Sequence, residues 1–129
     1  MALLVACGAL SIEYQGTCAQ QTQQFMNFIH ALVIDELMPV INDGITSGPT
    51  EDVMKRIAKL DTKISELNTS ECNPRTQAVK DALLYVRDEK LFTTVAGRAV
   101  HGDGPVQAQL SKMVEAGWAF ERAFVDLRK

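Results

Sequence analysis

Apolar side chains recur at three- and four-residue steps through most of this chain, and clusters of glycine, proline and asparagine break the recurrence into blocks. That period belongs to amphipathic helices. The first block runs through Phe25, Phe28, Ile29, Leu32, Val33 and Leu37, and Thr17 with Gln20 fits the capping box that opens such a helix. Pro39 has no N–H for the carbonyl of Asp35, so it is expected to kink or end the helix, and Asn42-Asp43-Gly44 to stop what remains. The turn Ser47-Gly48-Pro49-Thr50 leads to a second block, Val53, Ile57, Leu60, Ile64 and Leu67, with Thr50 as N-cap and Glu51 and Asp52 at the positive end of the helix dipole. Lys55, Arg56, Lys59 and Lys63 read as its solvated face.

Asn73-Pro74 places a good cap before a proline at the first helical position, and Val79, Leu83, Val86, then Leu91, Phe92 and Val95, follow it. Gly102-Asp103-Gly104-Pro105 is the strongest break. The last block carries Val106, Leu110, Met113, Gly117, Phe120, Phe124 and Leu127, with Val114, Trp118 and Val125 read as widening the same apolar face. The expectation is an all-α chain with helices over about 17–42, 50–68, 74–96 and 105–128, forming one domain over 17–129. Short connections favour an up-down-up-down four-helix bundle preceded by an N-terminal tether.

With 47% hydrophobic and 22% charged residues over 129 positions, the composition suits one compact domain. A net charge of −3 leaves no general basic field for a phosphate backbone, so nucleic acid is not an expected partner. No run approaches the roughly 18 apolar residues of a membrane-spanning helix, and a spanning segment is not expected. The ligand patterns of helical metalloproteins, Glu-x-x-His pairs and Cys-x-x-Cys-His, are missing. His30, with Met26 one turn away, reads as a partly buried histidine, and Met54 as core filling. Asp35-Glu36 and Asp88-Glu89 read as helix-surface charge pointing in different directions. No nucleophile with a base, glycine loop or metal-activated water motif is legible. Neither a catalytic residue, a metal nor a cofactor is therefore expected.

Location is more legible than activity. The stretch Leu4-Val5-Ala6-Cys7, followed by Gly8, resembles the lipobox of bacterial lipoproteins, in which the cysteine receives a diacylglycerol and becomes the mature N-terminus. The resemblance implies that residues 1–6 are the remnant of a signal peptide, that Cys7 is lipidated, and that 7–16 is a tether to the membrane. Six residues without a basic one are too short for a secretory signal, so a start inside the signal peptide is implied. Lipidation of Cys7 leaves Cys18 and Cys72, of three cysteines in all, as a pair in an oxidising compartment. In the bundle, the helices that follow these two cysteines begin at one end, which makes a Cys18–Cys72 bridge feasible.

The same topology brings the tether in at the bridged end and turns the opposite tip away from the bilayer. That tip contains Asp43, Gly48, Pro49, His101, Asp103 and Pro105, and loops on a rigid scaffold are a common place for recognition. The expected function is a non-enzymatic, lipid-anchored binding or structural module on the periplasmic or extracellular face of the cell envelope. Its partners would be the membrane, through Cys7, and an envelope protein at Asp43, His101 and Asp103. Two other readings compete. One is a cytoplasmic helical adaptor or regulatory protein with residues 2–14 helical and all thiols reduced. The other is a small-ligand or metal sensor using the bundle core or the tip, where a metal would need His101, Asp103 and Asp43 brought together by loop geometry that the sequence does not specify.

Overall fold

The computed structural model describes residues 12–89 and 106–128, with the backbone alone for 106–110. Cys7, the expected third-helix tail with Leu91, Phe92 and Val95, and the tip residues His101 and Asp103 lie outside the described residues. Among the described residues the chain is all-helical and contains no strand. Four helices follow in order: α1 (Cys18–Ser47), α2 (Glu51–Glu66), α3 (Arg75–Asp88) and α4 (Val106–Asp126).

α1 opens as its sequence requires. The Thr17 hydroxyl accepts from the Gln20 N–H at 3.2 Å, and the Gln20 side chain accepts from the Thr17 N–H at 2.7 Å. Gly16 sits at φ +85°, where other residues are strained, and a Cβ there would displace the Gln20 side chain that closes the cap. The expected stop near residue 42 is not where the helix ends. α1 continues through Pro39 and through Asn42-Asp43-Gly44 to Ser47.

The reason lies one turn earlier, where Leu32–Leu37 is π-helical and the Met38 N–H reaches back five residues to the Val33 carbonyl. A π turn redistributes the backbone hydrogen bonds just before a residue that has no N–H to contribute. Gly44 is buried, and Asp43 is held at 2.6 Å by Arg56 of α2. Gly48, at φ +80°, is the glycine that stops the helix, and its N–H donates to the Gly44 carbonyl at 2.8 Å. At 30 residues α1 is about 45 Å long.

α2 runs back along the second half of α1, with Arg56 on Asp43 and Lys63 on Glu36 at 2.7 Å. Its seam of Val53, Ile57, Leu60, Ile64 and Leu67 is buried throughout, as the spacing required. The 67–73 connection then continues along the first half of α1. There the Ser70 hydroxyl donates to Gln21 Oε1 and Asn73 Nδ2 donates to the Thr22 hydroxyl, both at 2.9 Å. Asn73 Oδ1 also accepts from the Arg75 N–H at 3.1 Å, one residue ahead of Pro74 at the N-cap of α3.

α3 and α4 run antiparallel. Lys112 of α4 lies 3.0 Å from Glu89, just past the end of α3, and Arg75 at the start of α3 donates to the Asp126 carbonyl at 3.3 Å. The far end of α3 reaches α2, where Arg87 donates to the Ser65 hydroxyl.

Phe25, Ile29, Leu32 and Val40 of α1, the α2 seam, Val79, Leu83 and Val86 of α3, and Ala116 of α4 with Leu127 form one core. The apolar face read for α4 is narrower than expected. Val114, Trp118 and Val125 are exposed, as is Gly117, while Met113, Phe120, Ala123 and Phe124 pack against the core. A helix on the outside of a bundle buries one stripe, and here that stripe is full without the tryptophan.

Candidate functional site at the bridged end

Chain segments far apart in sequence converge where α1 and α3 begin. Cys18 and Cys72 form a disulfide with a Cα–Cα distance of 5.6 Å, inside the usual range for such bridges. Behind it Ser70 and Thr76 are buried polar residues, and both are satisfied. The Ser70 N–H donates to the Thr76 hydroxyl at 3.0 Å, and that hydroxyl donates to the Asn73 carbonyl at 2.8 Å. These polar groups hold one another in place. None is aimed into open space.

The described part of the expected tether, residues 12–16, is docked on the domain and is not a free linker. The Ile12 N–H donates to Asn68 Oδ1 at 2.6 Å, Asn68 Nδ2 donates to the Ile12 carbonyl at 2.7 Å, and the Tyr14 hydroxyl donates to the Asn68 carbonyl at 2.7 Å. The Gln15 backbone exchanges a hydrogen-bond pair with the Gln24 side chain, each bond 3.0 Å long. The segment therefore runs alongside α1 and turns at Gly16 into it. The first described residue, Ile12, lies at Asn68 rather than at the bridge. Residues 12–16 thus lie along the flank of the domain before the chain turns into α1 at the bridged end.

Burial pushes the Tyr14 phenol up to about 12. The fold favours the neutral phenol, so this contribution is fully present below the ordinary phenol pKa of about 10 and is lost as pH rises from there through about 12. An ultraviolet difference titration of the wild type against Tyr14→Phe should show one phenol ionising near pH 12. A Tyr14 that ionises near pH 10 in the folded protein would mean that residues 12–16 are not docked.

Beside the bridge lies a cleft of about 560 Å³ lined by Cys18, Thr22, Met26, Asn73, Arg75 and Arg128, among others. Its rim carries two guanidinium groups. A polar cavity of about 210 Å³ lies between α1 and α2, and both Asp35 and Glu36 line it with Arg56 and Lys59. Both acids fall in the π-helical turn, where Asp35 is exposed and Glu36 is held by Lys63.

Other expected positions change their roles. Asp43 belongs to α1 and not to a loop, and it is engaged by Arg56. His30 is exposed on α1, and Met54 is exposed rather than core filling. Among the described residues no three histidine, cysteine, aspartate or glutamate side chains gather where they could hold a metal ion. Because α1 runs on to Ser47, it is long and apolar enough, by length and composition, to cross a membrane. Its apolar residues are interrupted by Asn27, His30, Asp35 and Glu36, so they form no continuous apolar run.

Sequence reasoning missed Asn68, the residue that clamps the N-terminal segment, because its partners lie more than fifty positions away. It also missed Arg75 and Arg128 as neighbours. No local signal pointed to either. No protein-family model matches the chain, and no curated protein and no solved structure matches it.

Proposed function

We propose that this chain is a non-enzymatic helical module of the bacterial cell envelope, anchored by a lipid on Cys7 and folded as an up-down-up-down four-helix bundle. The observation that carries the reading is the disposition of the cysteines. Cys18 and Cys72 are joined to each other, which leaves Cys7, the residue that ends the lipobox-like Leu4-Val5-Ala6-Cys7, as the remaining one of three. Disulfides persist in oxidising compartments, and export supplies one. The opposite directions of α1 and α2, and of α3 and α4, favour the bundle.

In this proposal α1 is a core helix. Phe25, Ile29, Leu32 and Val40 are buried in the domain, and Glu36 and Asp43 pair with lysine and arginine of α2. The five residue steps from Cys7 to Ile12 span at most about 18 Å. An anchor on Cys7 would therefore keep the flank at Asn68 close to the bilayer. Since Asp43 is engaged by Arg56, an envelope partner at the far tip would be met by His101, Asp103 and the turn after Ser47.

The test is fractionation of a bacterial host that expresses the chain with its own upstream sequence. Wild type is expected in the membrane fraction, and Cys7→Ser in the soluble fraction with the Cys18–Cys72 bridge intact. A wild type found in the cytoplasm with free thiols would overturn the proposal in favour of the adaptor reading.

A further inference from the structure

The face of α4 turned away from the core has its own pattern. Val114, Trp118 and Val125 are 50%, 61% and 52% exposed, and together with Glu121 they follow the four-three-four spacing of a helix-pairing seam. Beside the indole lies a hollow of about 290 Å³ lined by Trp118, Glu121, Arg122, Val125 and Asp126. Three exposed apolar side chains in one row beside a hollow make a candidate contact surface.

The charges beside the seam indicate what completes it. In heptad terms Val114 and Glu121 occupy d positions and Trp118 and Val125 occupy a positions, which puts Glu115 and Arg122 at successive e positions. When two such helices pack antiparallel, e positions face e positions. A two-fold axis through the middle of the seam then sets Glu115 of each copy against Arg122 of the other, so the ion pair forms twice. The same axis sets Val114 against Val125 and Trp118 against Glu121 of the second copy. Neither Glu115 nor Arg122 makes an ion pair with another described residue.

Gly117 lies on the edge of this face, and a Cβ built on it would meet nothing within 4 Å. The absent side chain lets a second helix approach closely. A parallel pairing would set Arg122 against Gly117 and lose the charge match. From these positions we infer that a second copy of this chain docks on the outer face of α4, antiparallel and two-fold symmetric, with Trp118 at its centre.

One helix face per copy is at the small end of specific interfaces, so the dimer should be weak, with a Kd on the order of 10–100 µM. The test is sedimentation equilibrium on the full chain carrying Cys7→Ser, which prevents a Cys7 disulfide from joining copies. Glu115→Arg and Arg122→Glu are each expected to weaken dimerisation at least tenfold, and the double swap to restore it, because the pair is re-formed with its charges exchanged. Both positions are exposed, so folding is not at stake. Trp118 is the single tryptophan of the chain, and its emission should shift to the blue as concentration rises. A monomer throughout the micromolar range would overturn the inference, as would a double swap that fails to restore the dimer. So would an emission shift produced by phosphatidylcholine vesicles while the chain stays monomeric, which would assign this face to lipid.

Discussion

Replacing Cys18 and Cys72 together by alanine is expected to destabilise the domain by about 4 kcal/mol, the entropy of closing a loop whose ends are 54 positions apart in the unfolded chain. In thermal unfolding a loss of that size should lower the Tm by roughly 10–20 °C. The bridge ties the start of α1 to the turn that begins α3, and neighbouring contacts (Gln21 to Ser70, Thr22 to Asn73) span the same two segments. Those contacts can re-form in the double variant, so the helices should be retained and the loss should appear as stability rather than structure. Denaturation of wild type and variant, followed by far-ultraviolet circular dichroism, measures it. A loss below about 1 kcal/mol would mean that the bridge is not formed in solution, and would remove the main support for an exported protein.

Phe25→Ala should cost about 3–5 kcal/mol. Phe25 is fully buried in the first half of α1, and its removal leaves a cavity among side chains already fixed by the packing of the other helices. Val125→Ala is the matched control. It deletes apolar surface from a half-exposed position on α4 and should change stability by no more than about 0.5 kcal/mol. Urea unfolding of the two variants beside the wild type separates the predictions clearly. Similar losses at both positions would contradict the assignment of inner and outer faces.

What was legible in the sequence is what short-range chemistry decides. The capping box at Thr17 and Gln20 closes over three residues, and the α2 seam repeats one spacing from Val53 to Leu67, so both follow from neighbours alone. The end of α1 was misplaced because the rule for Pro39 is local while its outcome is not. The π turn at Leu32–Leu37 and the Asp43–Arg56 pair hold a helix that the isolated peptide would be expected to break. Binary pattern could not separate the inner stripe of α4 from the outer one either. Val114, Trp118 and Val125 lie beside the core positions on the helical wheel, and only packing against α3 decides which row faces in. Residues 12–16 looked free because the sequence around them has no period, yet Asn68 supplies the partners that a strand or helix would otherwise provide.

The bridged end was read correctly in its pairing, and the docking of residues 12–16 was not legible. Counting cysteines and following helix directions brought Cys18 to Cys72. The docked segment 12–16 then lies along the flank at Asn68, which brings that flank near any anchor on Cys7. The cleft with Arg75 and Arg128 at its rim lies at this same end.

In the proposed protein Cys7 carries the lipid while Cys18 and Cys72 carry the bridge. Intact mass, read before and after reduction on protein made with its native upstream sequence in a bacterial host, tests both halves in one measurement. The expected result is a chain that begins at Cys7 with added acyl mass and gains the mass of a hydrogen pair on reduction. A chain without acyl mass, unchanged by reduction and with all its thiols free, would contradict it.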